Sequence, residues 1–272
     1  MPILRTIACL LLIGTLCAPA QAQQISRADI DEMLSVIGEP GFIDTVVAQR
    51  DLPVNVRPHA ADHLAALWSR QSFRDHVARE ITRNQAHLTG ATGELSEHLV
   101  AEFTAQLNET LFSIGAQTMP PADIREFLEM TVTIMRRMEI DDCIALAGGR
   151  LSATDSQAAE MQALGGFSDR EIARYFELLR TGVLAAISTP SPGSGLTAAQ
   201  METAERIFAG ALESAIEKHP ESAQMSAALM SLHMANNEYH CEALIMIIEE
   251  SARMRGEVGD LVVRWFAHGM IE

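Results

Sequence analysis

The chain has 272 residues, enough for one large domain or two small ones once a leader is removed. Apolar residues make up 48% and aromatics only 5%, so the core must be built from Leu, Ile, Val, Ala and Met, which suits packed helices better than sheets. A formal charge of −16 argues against nucleic acid and anionic lipid surfaces as partners.

Residues 1–22 read as a secretory signal. Arg5 is the positive start, Thr6–Leu16 is a short apolar run, and Ala20 and Ala22 stand at the positions a signal peptidase recognises. Cleavage is expected before Gln23. The run is too short for a membrane span, and none is expected in the mature chain. Its removal takes away Arg5 and no acid, leaving the mature chain more acidic still. Lys218 is the only lysine, an arginine bias typical of a GC-rich bacterial genome. Leader and bias together point to a bacterial periplasm or the extracellular space.

The mature chain then divides into a helical region over 23–187, a linker or surface loop over 188–195, and a C-terminal helical region over 196–272. Ser26 and Asp29 form a capping pair ahead of Ile30, Met33, Leu34 and Ile37, which recur at the helical period. Gly38 and Pro40 end that helix, and a short one follows over 41–49. Pro58 suits the first turn of a helix carrying Leu64, Leu67 and Trp68. Ser72 is placed to cap the next, with Val77 and Ile81 inward. Gly90 and Gly93 bracket a loop before long helices over 94–114 and 120–138. Later helices are predicted over 198–217, 221–235, 238–255 and 257–268. The expectation is an all-α bundle of about ten helices with no sheet.

Two starts carry the clearest local grammar. In Phe167-Ser168-Asp-Arg-Glu171-Ile172, Ser168 and Glu171 form a capping box, and Phe167 and Ile172 form a hydrophobic staple. Leu196-Thr197-Ala-Ala-Gln200-Met201 repeats it. Between the two helices, Ser188-Thr-Pro-Ser-Pro-Gly-Ser-Gly195 has the composition of a flexible connector. A shift of 98 positions lays Cys143 on Cys241 and Leu146 on Leu244, a faint sign of internal repetition.

The segment from Phe167 through Tyr175, Leu178, Leu179, Arg180 and Thr181 to Gly182 resembles a helix of small secreted bacterial domains of unknown function. In those domains an aromatic pair stands where Leu178 and Leu179 are, and proline where Gly182 is. The resemblance implies an all-helical secreted module and carries no catalytic residue.

Three constellations could carry chemistry. His59-Ala-Ala-Asp62-His63 places two imidazoles one helical turn apart, as in an inverted zinc-hydrolase motif with Asp for Glu; the alternative is a solvent-facing turn at a helix start. Met230, His233 and Met234 share a helical face and offer the soft ligands Cu(I) prefers; the alternative places the two Met in the core and His233 at its rim. The adjacent acids Asp141-Asp142 and Glu249-Glu250 point to different sides of a helix and read as cap and solvated face. No nucleophile elbow, Walker loop or dinucleotide fingerprint is present, so no cofactor is expected.

Cys143 and Cys241 are the two cysteines beyond the leader, and an oxidising compartment should join them; free thiols, or Cys241 with His240 as a metal site, are the alternatives. The functional expectation is a periplasmic or secreted helical protein that binds another protein or an apolar small molecule, or serves the envelope, without catalysis. Its alternative is a metal protein using the copper or zinc sets above.

Overall fold

The computed structural model describes residues 26–88, 97–188, 195–231 and 237–269. The leader, the loop at Gly90 and Gly93, residues 189–194 of the connector, and His233 and Met234 lie outside them. Among the described residues there are thirteen helices and no strand. They are α1 (Arg27–Ile37), α2 (Pro40–Gln49), α3 (Arg57–Trp68), α4 (Gln71–Leu88), α5 (Glu97–Ala116), α6 (Pro121–Met135) and α7 (Ile140–Ala147). There follow α8 (Ala153–Leu164), α9 (Asp169–Ser188), α10 (Ala198–Lys218), α11 (Ser222–Met230), α12 (His240–Arg253) and α13 (Gly256–Gly269).

Side-chain oxygens satisfy the open amides at several starts. Ser26 and Thr197 cap α1 and α10, each with its reciprocal third residue, Asp29 and Gln200. Ser168 accepts from the Glu171 amide at 3.4 Å, and the Glu171 carboxylate accepts from the Ser168 amide at 2.8 Å. Those bonds hold the Glu171 carboxyl below its ordinary pKa, the Ser168 hydroxyl first among the causes. Phe167 and Ile172 are both buried, as the staple requires. We expect Ser168→Ala to lower stability by about 0.5–2 kcal/mol, read as a shifted urea midpoint at constant slope. An unchanged midpoint would mean the box does not hold the start of α9.

Several boundaries differ from expectation. Ser72 lies inside α4 rather than capping it, because α4 already opens at Gln71. The expected 120–138 helix is α6 alone; it stops at Arg136, whose amide folds back on Val132 and Ile134 carbonyls. The short α7 and α8 follow, separated by Gly148 and by Gly149 at φ 64°, a conformation that needs no Cβ. α11 ends at Met230, where the Ser231 amide returns to Ala228, short of the expected end at 235. The two unforeseen helices, α7 and α8, bring the count above the expected ten or so, to thirteen among the described residues.

One hydrophobic cluster runs through α1–α9 and continues into α12 and α13 through Cys241, Ile245, Ile248, Ala252, Val263 and Ala267. Smaller clusters seat α10 on α13 (Phe208, Val262) and α11 on α12 (Met225, Ala228, Ala243). Rings link four helices through the centre: Phe112 lies 4.5 Å from Phe127, Phe127 6.0 Å from Tyr175, Tyr175 5.5 Å from Phe176, and Phe176 5.4 Å from the His63 ring. The Tyr175 phenol donates to Glu160 on α8, and burial pushes its pKa well above the ordinary range.

The most extensive helix pair is α5 with α9, and glycine makes it possible. A Cβ on Gly115 would stand 1.7 Å from the Gly182 carbonyl oxygen. Ion pairs flank α6 on two sides. Arg174 of α9 holds Asp123 and Glu126 of α6, each at 2.7 Å, and its own-helix Glu177 at 2.9 Å. Toward the C-terminal helices, Arg125 meets Asp260 at 2.8 Å, Glu129 meets Arg255 at 2.7 Å, and Arg136 meets Glu249 at 2.7 Å. The exposed pairs contribute little each, but their charges fix which faces of α6 meet which neighbours.

Candidate functional site

A recess with both apolar and polar walls lies where the ends of four helices meet. Asp31, Leu34 and Ser35 share the last turns of α1 at helical spacing, and Gly38 and Pro40 form the corner into α2. Ala65, Trp68 and Ser69 close α3, and Gln71 and Arg74 open α4. The groove encloses about 700 Å³. Leu34 and Trp68 are buried behind it, while Pro40 and Ser35 are exposed at its mouth. Trp68 is fixed edge-on by Phe73 at 5.2 Å.

Its polar groups are organised by two arginines. Arg74 donates through Nη1 to the Trp68 carbonyl, covering the open end of α3, and through Nη2 to the Gln71 Oε1. Gln71 Nε2 in turn donates to Asp75 at 2.9 Å. Arg27 pairs with Asp31 at 2.8 Å and reaches Asp75 at 3.3 Å. The acid of the groove therefore has a cation of its own. Arg74 is in contact with a carbonyl and an amide oxygen instead of a carboxylate.

The structure separates the members of the His59–His63 motif. Asp62 is exposed, His59 is half-buried with Nε2 4.0 Å from Asp169, and His63 is buried. The solvent-facing alternative therefore fails at His63, whose Nδ1–H donates to the Phe176 carbonyl at 3.1 Å. Both imidazoles face α9, each toward a different group of it. Among the described residues no three His, Cys, Asp or Glu side chains gather around a point a metal could occupy.

Burial lowers the His63 pKa to about 4; the Phe176 hydrogen bond opposes the shift and the Arg180 charge adds to it. The unfolded chain takes up this proton near 6.5, while the native one resists until about 4. Between those values the unfolded state binds more protons, so stability falls as pH drops from about 6.5 toward 4 and His63 adds no further loss below that. A difference of that size corresponds to about 3 kcal/mol. We expect His63→Leu to remove this part of the pH dependence. Urea midpoints at pH 7 and pH 4.5 should differ less in the variant than in the parent, and equal differences would show that His63 does not titrate this way.

At the other soft-ligand set, Met230 is 78% exposed, which overturns its reading as a core residue; Met225 of the same helix fills the core instead. Its partners His233 and Met234 are outside the described residues. Ser231 and His240 approach to 3.2 Å, a distance that suggests a nucleophile and its base. The Ser231 hydroxyl, however, donates to the Ala227 carbonyl at 2.8 Å, which makes Ser231 the acceptor from His240 Nε2. His240 is fully buried, so the contact fixes the turn ahead of α12 and presents no nucleophile to a cleft.

Of the acid pairs, Asp141 and Asp142 stand in the first turn of α7, where their charge suits the helix dipole, while the N-cap position is Glu139 and makes no side-chain cap bond. Glu249 is exposed and pairs with Arg136, but Glu250 is buried, contrary to the solvated-face reading, and is held by Arg253 at 2.6 Å. Cys143 and Cys241 are joined in a disulfide, which removes the reading of Cys241 with His240 as a metal site. A smaller recess of about 340 Å³ lies beside this bridge, lined by Asp141, Ile144, Ala145, Arg150 and Glu238. Among the described residues no helix is long and apolar enough to cross a membrane.

The groove residues had no signal in the sequence as a site. Leu34 and Trp68 read as core, Gly38 and Pro40 as a helix stop, and nothing local says that the ends of α1 and α3 meet. No protein-family model, curated protein or solved structure matches the chain.

Proposed function

We propose that the chain is an exported, disulfide-tied helical module that binds a small molecule in the α1–α4 groove and does no chemistry on it. The observation that carries this reading is the groove itself. A recess of about 700 Å³ with apolar walls and a few fixed polar groups falls in the size range of small-molecule sites. The polar groups around it are engaged in holding helix ends and one another, which suits recognition more than proton transfer. Export is supported by the leader pattern of residues 1–22 and by a disulfide, which persists in oxidising compartments.

The test is native mass spectrometry of the mature protein recovered from its own compartment. A small molecule retained by the folded protein, released on denaturation, and lost in Ala65→Trp, which fills the groove, is the expected result. Protein free of any retained mass, or retention unchanged by Ala65→Trp, would overturn it. Stoichiometric copper or zinc in the same preparation would favour the metal sets in its place.

A further inference from the structure

Resting on the groove as the binding site, we infer that its ligand is a small amphipathic monocarboxylate, with the carboxylate on Arg74 and the apolar body along Ala65 and Pro40. A guanidinium has five N–H donors in a rigid plane, and Arg74 commits only two of its nitrogens, to the Trp68 carbonyl and the Gln71 side chain. Those two bonds hold the plane in place and leave donors for a carboxylate, so little ordering is left for the ligand to impose. Arg74 stands in the first turn of α4, where the helix dipole also favours negative charge.

The opposite wall sets the limit on charge. Asp31 faces the same groove with its charge already offset by Arg27, and Asp75 lies beyond Gln71. A single carboxylate meets the donors that Arg74 has left after Trp68 and Gln71, whereas a second anionic group would meet these acids. A ligand amine would sit beside Arg74 with no free carboxylate to receive it. The apolar surface at the mouth comes from Ala65 and Pro40, backed by the buried Leu34 and Trp68, and matches a short alkyl or ring body.

Trp68 supplies the readout. The chain has two tryptophans, and Trp265 packs on Phe208 in the separate α10–α13 cluster, so a Trp265→Phe background leaves Trp68 as the reporter. The mature protein is titrated with octanoate, octanol and octylamine up to about 1 mM. Octanoate should perturb Trp68 fluorescence with a Kd about ten-fold below those of the other two. In Arg74→Met, octanoate should weaken by about ten-fold while octanol is unchanged, the octanol response certifying a folded groove. Arg74→Lys, which keeps the charge and loses the fork, should fall between.

Octanol or octylamine binding as tightly as octanoate, with all three lost in Ala65→Trp when read by calorimetry because that variant adds a tryptophan beside the reporter, would overturn the carboxylate and leave the groove as the site. Octanoate binding that survives Ala65→Trp would overturn the groove itself. No response to any of the three would overturn the ligand class proposed, and the retained-mass experiment then decides separately whether the groove holds anything else.

Discussion

Gly115→Ala is expected to be the most damaging single-methyl change in the chain, lowering stability by about 3 kcal/mol. The added Cβ would stand 1.7 Å from the Gly182 oxygen, 2.6 Å from its carbonyl carbon and 2.9 Å from the Ala186 nitrogen. All three are backbone atoms, so no side-chain rotation relieves the clash. The helices must move apart, and α5 and α9 are the pair on which the ring stack of Phe112, Phe127 and Tyr175 depends. Gly182→Ala is expected to be milder, because the atoms its Cβ meets, Phe112 Cδ2 at 2.5 Å, Phe112 Cε2 at 2.9 Å and Met119 Sδ at 3.3 Å, belong to side chains rather than to backbone. Gly210→Ala provides the opposite sign. It lies on α10 with nothing within 4 Å of the added methyl, so the gain in helix propensity, about 0.5–1 kcal/mol, should appear unopposed. Urea midpoints of the three variants test the order. A neutral Gly115→Ala would show that α5 and α9 do not cross at these glycines.

That crossing also shows where the sequence stops being informative. The all-α class follows from composition and from apolar residues at helical spacing, and the caps at Ser26, Ser168 and Thr197 are written in four-residue patterns that mark a helix start. Gly115 and Gly182 carry no such pattern. Each is an isolated glycine inside a helical run, which locally reads only as a weak point, and the reason for both lies on another helix. The same holds for α7 and α8. Eight residues give the period of α7 little room, and α8 offers only Met161 and Leu164 as large apolar residues; α7 is tied to α12 through the disulfide. His63 has a different cause. The i, i+4 spacing with His59 suggested a shared ligand, yet one imidazole is drawn into the core by the Phe176 carbonyl, a partner on a helix more than a hundred residues away. The groove follows the same logic. Asp31, Trp68 and Arg74 are each explained locally as surface charge, core and surface charge. They become one wall only where the end of α1 meets the end of α3, with Gly38 lying against Trp68.

Replacing Cys143 and Cys241 by Ala should lower stability by about 2–5 kcal/mol and make unfolding more sensitive to urea. The bridge spans 98 residues of sequence, and closing a loop of that length removes chain entropy worth roughly 4–5 kcal/mol in the simplest treatment. Alanine is the better replacement than serine, because Cys143 is fully buried and Cys241 nearly so, and a hydroxyl at either place would need a partner. The effect should be local before it is global. α7 has eight residues, too few to persist alone in water, and it packs mainly against α12, to which the disulfide ties it. α12 also lies against α6 and is anchored there by Ile245 and Ile248 in the main core, so it does not depend on the bridge to the same degree. Hydrogen exchange should therefore show α7 losing protection first and most on reduction, with α5, α6 and α9 remaining the best protected. Intact mass after alkylation, with and without reductant, checks the bond itself: in a chain lacking residues 1–22, and with them Cys9 and Cys17, no label without reductant and two labels with it. Two labels in that unreduced chain would remove the tie between the two ends of this loop, and with it the strongest structural argument for an oxidising compartment.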